Sequence, residues 1–139
     1  MDESRTLSGR CLCGDVHVLA RAVSKRVGVC HCGMCRSWSG GPLLAVDCGT
    51  KVSFEGGGQI GTYASSDWAE RGFCKRCGTH LFFRLKASGQ FLMPPGLFDA
   101  AEDFVLEEQI FVDRKPGYYA FANRTAMLTE AEFLARHGG

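Results

Sequence analysis

The chain has 139 residues, 45% of them hydrophobic, with 16 Lys and Arg against 15 Asp and Glu. That length predicts a single domain over 1–139 that buries most of its surface without covalent staples. The formal charge of +1 lacks the basic excess of a nucleic-acid-binding protein, and no apolar run approaches the length of a membrane span.

The first ten residues lack the apolar core of a secretory signal, so a cytoplasmic location is expected, with no membrane partner. Strand-like runs then recur along the chain. Val16 and Val18 alternate with Asp15 and His17, and further runs fall at 43–46, 51–54, 60–63, 81–85 and 108–112. Gly40 and Gly41, and Gly56 to Gly58, read as turns between them. Short helical turns are expected near 66–68 and 100–104. The pattern predicts a mainly β, antiparallel domain rather than a βαβ succession. One helix is well marked near the end: Thr129 serves as N-cap with Glu132 three residues on, Phe133 and Leu134 face the body, and Gly138 stops it.

Eight cysteines are many for a reducing compartment, where thiols serve as metal ligands or reactive groups more often than as disulfides. Seven fall in three clusters: Cys11 and Cys13; Cys30, Cys32 and Cys35; Cys74 and Cys77. Short bites of this kind curl two sulfurs around Zn²⁺ at about 2.3 Å each, and the glycines that follow Cys13 and Cys77 let the turns close. The set divides into a closed four-cysteine site (Cys11, Cys13, Cys74, Cys77) and a three-cysteine site (Cys30, Cys32, Cys35) with one coordination position left for a ligand. A closed site is structural, whereas an open position is what catalytic zinc requires. Seven thiolates with two Zn²⁺ would shift the formal charge from +1 to −2, and both ions would contribute to folding.

Other readings stay open at this level: a disulfide framework, C-x-x-C redox pairs at Cys32–Cys35 or Cys74–Cys77, or purely structural metal at every cluster. Cys48 stands alone in an apolar run. It reads as a packed small hydrophobe, or else as the fourth ligand of the three-cysteine site.

Gly9-Arg-Cys11-Leu-Cys13-Gly14, Cys30-His-Cys32-Gly-Met-Cys35-Arg36 and Phe73-Cys74-Lys-Arg-Cys77-Gly78-Thr79 occur in the order typical of the glutathione-dependent formaldehyde-activating enzymes. The chain resembles this Gfa-like family, which also includes the centromere protein CENP-V. Tyr63-Ala-Ser-Ser66 and the segment from Ile110 to Pro116 add to the likeness, which spans about Ser8 to Arg136. The resemblance implies a β-tent of small antiparallel sheets. It also implies a structural zinc on Cys11, Cys13, Cys74 and Cys77 and a functional zinc on Cys30, Cys32 and Cys35. The activity it implies is that of a carbon–sulfur lyase forming S-(hydroxymethyl)glutathione from formaldehyde and glutathione, hence formaldehyde detoxification. Where many relatives carry a histidine before the Phe-Val-Asp segment, this chain has Gln109-Ile110.

Under that resemblance the partners are a small-molecule thiol and an aldehyde, with glutathione as co-substrate and a homodimer left open. Arg36 attracts the carboxylates of glutathione or simply softens the charge of the thiols. His31, between two ligands, turns its ring away from the site or shuttles a proton. His80 reads as a satisfied strand histidine. Trp38 and Trp68 wall a pocket or join the core, and Phe82, Phe83, Phe91 and Phe98 are assigned to the core. Arg71, Lys75 and Arg76 form a basic spot, which is the feature that would favour a non-catalytic, zinc-stabilised binding module.

Overall fold

The computed structural model describes residues 5–99 and 103–137. A three-stranded antiparallel sheet is ordered β1 (Arg5–Arg10), β2 (His17–Val23), β5 (Val52–Glu55). The larger sheet uses β3 (Arg26–Cys30), β4 (Leu43–Asp47), β6 (Ile60–Tyr63), β7 (Ala69–Cys74), β8 (His80–Leu85), β9 (Phe91–Met93), β10 (Val105–Ile110) and β11 (Ala126–Leu128). Its eight strands run in the order β11-β10-β3-β4-β9-β8-β7-β6. Helix α1 (Gly33–Ser39) lies between β3 and β4, and α2 (Glu130–Arg136) follows β11.

The mainly β expectation holds, as does the short C-terminal helix. The strands that alternation marks form close to their expected positions, because each has one face to bury. Val18, Ala20 and Val23 of β2 turn inward, as do Val27 and Val29 of β3, Val46, Leu81, Met93 and the rings of Phe82, Phe91 and Phe98. Phe54, Phe82 and Phe91 meet at tilted or edge-on angles with centroids 5.0 to 5.9 Å apart.

Several expectations need correction. The antiparallel pattern fails at one edge, where β10 runs parallel to both β3 and β11. Residues 66–68 are bends rather than a helical turn, because they close the loop between the paired strands β6 and β7. The turn expected at 100–104 falls largely outside the described residues, as does the Gly138 stop. Phe83 is only half-buried, because its ring lies between Trp68 and the Arg71 guanidinium. Trp68 is more than half exposed, and Leu134 faces solvent. In α2 it is Phe133 that packs, against Phe111 at 5.6 Å. The capping box of α2 forms as expected: Thr129 Oγ1 accepts from the Glu132 amide, and the Glu132 carboxylate accepts from the Thr129 amide.

Two connections place the cysteines. The strand β3 lies inside the large sheet, between β10 and β4, with Cys30 opposite Ile110 on one side and Leu43 on the other. Beyond it the chain bends into α1, where the Cys32 sulfur caps the helix by accepting from the Cys35 amide at 3.4 Å. Gly40 ends α1 in the left-handed region at φ 82°, which favours glycine. Elsewhere Gly9 bridges to Phe98, and a Cβ on Gly9 would stand 2.2 Å from the Leu97 carbonyl oxygen. That contact clamps the end of β1, immediately before Cys11, to the segment after β9. No helix among the described residues is long and apolar enough to cross a membrane.

Candidate metal centres

The two cysteine groups assemble as the spacing suggests. The sulfurs of Cys11, Cys13, Cys74 and Cys77 all lie within 4.8 Å of one another, and so do those of Cys30, Cys32 and Cys35. Both sets suit a thiophilic metal, since sulfurs at that separation are the corners of a tetrahedral thiolate site with metal–sulfur bonds of about 2.3 Å.

In the first group two knuckles face each other. Cys11 to Gly14 forms a tight turn in which the Gly14 amide donates to the Cys11 carbonyl, with Gly14 at φ 84°. Cys74 to Gly78 repeats the device, with Gly78 at φ 80°. Thr79 ties the two together: its hydroxyl oxygen accepts from the Leu12 amide and lies 3.1 Å from the Cys77 sulfur. That hydroxyl is the main reason the Cys77 thiol is held down at about 5. The Val16 amide donates to Cys11 at 3.3 Å. Cys11 and Cys74 are buried, so this group is anchored in the core.

The second group lies on the corner between β3 and α1, with Cys35 buried and Cys30 and Cys32 half-buried. The neighbouring thiols of Cys30 and Cys35 donate to Cys32 and push its own thiol down to about 2, while Cys30 is pushed up by sharing with Cys32. Sharing within the trio therefore favours the thiolate form at Cys32, the residue that caps the N-terminus of α1.

Cys48 joins neither group. It is fully buried and donates to the Val46 carbonyl at 3.6 Å, and burial pushes its thiol up to about 12. It packs as a small hydrophobe, and the fourth-ligand alternative is excluded.

His31 does turn its ring away from the thiols, but into a buried polar network rather than an open loop. Its Nε2 donates to Gln109 Oε1 at 2.8 Å, Gln109 Nε2 donates to Thr125 Oγ1 at 3.0 Å, and the Tyr119 hydroxyl donates to His31 Nδ1 at 2.8 Å. Because the amide oxygen of Gln109 can only accept, Nε2 carries the proton and the neutral ring accepts at Nδ1. Burial lowers the His31 pKa, and with both nitrogens engaged the ring is a structural pin rather than a proton shuttle. The network holds the 115–125 segment against the corner that carries the cysteines. Sequence reasoning noticed Gln109 only as a departure from related chains and did not mark Tyr119 or Thr125, which lie 88 and 94 positions beyond His31.

Arg36 lies on α1, half-buried, with Nε donating to the His31 carbonyl at 2.9 Å. This bond, made by Nε, fixes the orientation of the guanidinium. His80 is a strand histidine whose Nδ1 accepts from Trp38 Nε1 at 2.8 Å. Burial and the nearby Arg71 charge push it down to about 4, so it is neutral near pH 7. Trp38, Phe73, Gly78 and His80 line a cavity of about 320 Å³. A second cavity of about 510 Å³ continues from His80 to Arg10, Leu12 and Leu97.

The expected basic spot does not form. Arg76 pairs with Asp15 at the surface, but Arg71 is 2% exposed and points inward. Its Nε donates to Ser65 Oγ at 3.1 Å, and its Nη2 lies 3.7 Å from the Cys35 sulfur. A cationic side chain three residues before Cys74 reads as surface from the sequence; in the fold it stands in β7, paired with both β6 and β8, and is buried.

Residues 6–114 match the family model of the glutathione-dependent formaldehyde-activating enzyme. A Schizosaccharomyces pombe protein described as an uncharacterized lyase is 38% identical over 127 residues, which cover 91% of this chain and 93% of its own. The crystal structure of a Rhodobacter sphaeroides protein superposes with a TM-score of 0.59 at 17% identity, over 68% of this chain and 89% of that one, and so shares the fold. By its cysteine pattern, its fold and the family match over most of its length, the chain belongs to the glutathione-dependent formaldehyde-activating enzyme family.

Proposed function

We propose that the chain is a zinc-dependent carbon–sulfur lyase that forms or cleaves the hemithioacetal of glutathione and an aldehyde, such as S-(hydroxymethyl)glutathione. The observation that carries this reading is the inequality of the two groups: four converging sulfurs in one, three in the other, among the described residues. Cys11, Cys13, Cys74 and Cys77 hold a structural ion. Cys30, Cys32 and Cys35 hold a second ion that has room for one more ligand.

When bound at the three-cysteine group, zinc keeps a coordinated thiol deprotonated at neutral pH. The protein's own residues do the remaining work. Arg36, aimed by its bond to the His31 carbonyl, offers N–H groups to a carboxylate of the thiol co-substrate. The Tyr119–His31–Gln109 network fixes the corner on which Cys30, Cys32 and Cys35 stand, so the thiol and the aldehyde meet in one orientation. Trp38 of α1 packs edge-on against Phe73 at 6.0 Å and gives that helix an apolar flank. The same reading takes 1–139 as one zinc-binding domain, acting in the cytoplasm on small molecules rather than on nucleic acid or membrane.

Metal analysis combined with glutathione titration tests the reading. It expects two zinc ions per chain, one of which glutathione protects from a chelator, and turnover of an aldehyde that disappears in Cys32→Ser while the fold persists. A chain that binds no glutathione and turns over no aldehyde would be a zinc-stabilised binding module instead.

A further inference from the structure

Among the described residues, Arg71 is the one Lys, Arg, Asp or Glu side chain that is buried. Its guanidinium lies between aromatic rings, with Cζ 4.9 Å from the centroid of Phe83 and 5.8 Å from that of Trp38. It is almost fully buried, and no carboxylate pairs with it among the described residues. A buried cation needs a partner charge, and among the described residues the candidate in contact is the Cys35 sulfur, 3.7 Å from Nη2. Three thiolates holding one Zn²⁺ would carry one net negative charge, which Arg71 would offset. Neutral His80 adds no competing cation on the same side.

One part of the side chain is left over. Nε has Ser65 and Nη2 has Cys35, but Nη1 is buried with no hydrogen-bond partner among the described residues. The hydroxyl of Ser66, next in the chain to Ser65, is buried and unpartnered as well. A rigid fork whose other nitrogens are both used presents its third in a fixed direction, beside the three-cysteine group. Its dry, aromatic surroundings strengthen whatever charge it meets.

We propose that Arg71 is a catalytic residue of this site, with Nη2 holding the Cys35 sulfur and Nη1 donating to the oxygen of the bound aldehyde. The inference rests on the thiol–aldehyde reading above and deepens it. In the addition step, a sulfur lone pair of the thiolate forms the C–S bond and the carbonyl π pair moves onto oxygen. Nη1 stabilises the alkoxide so formed. The proton released when the thiol ionised returns through solvent to that oxygen, and nothing is oxidised or reduced. The reverse sequence cleaves the hemithioacetal.

The test uses the two-zinc protein and its Arg71→Lys, Arg71→Met and Arg71→Ala variants. With glutathione and formaldehyde, kcat is expected to fall about 100-fold or more in the Lys and Met variants while glutathione affinity changes less than about threefold. Millimolar guanidinium is expected to restore turnover in Arg71→Ala. Without any substrate, chelator release of zinc from the three-cysteine group is expected to quicken about 10-fold or more in Arg71→Met, with release from the four-cysteine group unchanged. An unchanged kcat in the variants overturns the proposal, and so does guanidinium that restores zinc retention without turnover. If the parent protein neither binds glutathione nor turns over aldehyde, the functional reading itself fails and the aldehyde role fails with it. The zinc-release comparison separates that result from an inert Arg71.

Discussion

The Tyr119 hydroxyl donates to His31 Nδ1 at 2.8 Å across 88 positions of sequence. The bond joins the segment after β10 to the residue between Cys30 and Cys32, so it sets the shape of the corner on which the three-cysteine group stands. Tyr119→Phe removes the donor and strands a buried ring nitrogen. Stability is expected to fall by about 1–3 kcal/mol in urea unfolding, with the zinc content unchanged. Gln109→Leu strands the other nitrogen and is expected to cost a similar amount.

Thiol reactivity in the metal-free protein should rank by environment. Cys32, held down at about 2 by its neighbours, and Cys77, at about 5 through Thr79, are thiolates at pH 6.5. Cys48, buried and pushed up to about 12, is not. After zinc removal, a brief exposure to iodoacetamide is expected to label Cys32 and Cys77 first and to spare Cys48, as read by peptide mass spectrometry. Rapid labelling of Cys48 would contradict its placement in the core.

Acid should weaken the fold partly through His80. Its pKa drops from about 6.5 in the unfolded chain to about 4 in the fold. Between those values the unfolded state binds more protons, so stability rises with pH across the window and is lost as pH falls from 6.5 toward 4. Urea unfolding of the parent and of His80→Gln over that range is the check. The variant is expected to show the shallower slope. Equal slopes would mean that His80 is not buried as described.

Backbone contact makes Gly9 irreplaceable. A Cβ there would stand 2.2 Å from the Leu97 carbonyl oxygen, which is held by the bridge to Phe98 and cannot swing aside as a side chain would. Gly9→Ala is expected to cost about 1–3 kcal/mol by overpacking, read as a lower urea midpoint. By contrast, Gly33→Ala meets open space at the start of α1 and is expected to be neutral or slightly stabilising.

The cysteine partition was legible because short-bite spacing is a local property, and so was the capping box of α2, which four consecutive residues encode. The strand β7 was not, because Ala-Glu-Arg-Gly-Phe-Cys does not alternate: it buries residues on both faces, and Gly72 is required where the Phe82 ring lies against the backbone. The helix α1 was missed because seven residues containing glycine and two serines carry little helical propensity. Its real signals are the Cys32 cap and Gly40. The parallel pairing of β3 with β10 depends on contacts about 80 positions apart, which no local pattern records. Arg71 shows the same limit at the level of one side chain: charge predicts exposure until the neighbours are known.

The two groups also differ in how much chain each must gather. Cys30, Cys32 and Cys35 lie within six consecutive residues, whereas the Cys13 and Cys74 sulfurs meet across 61 positions. As the chain emerges from the ribosome, the contiguous group is complete and able to take up metal while the first knuckle still awaits its second half. On the proposed two-zinc reading, the connectivity would set an order of loading: the three-cysteine group can take its ion first, and the four-cysteine group only once Cys77 has appeared.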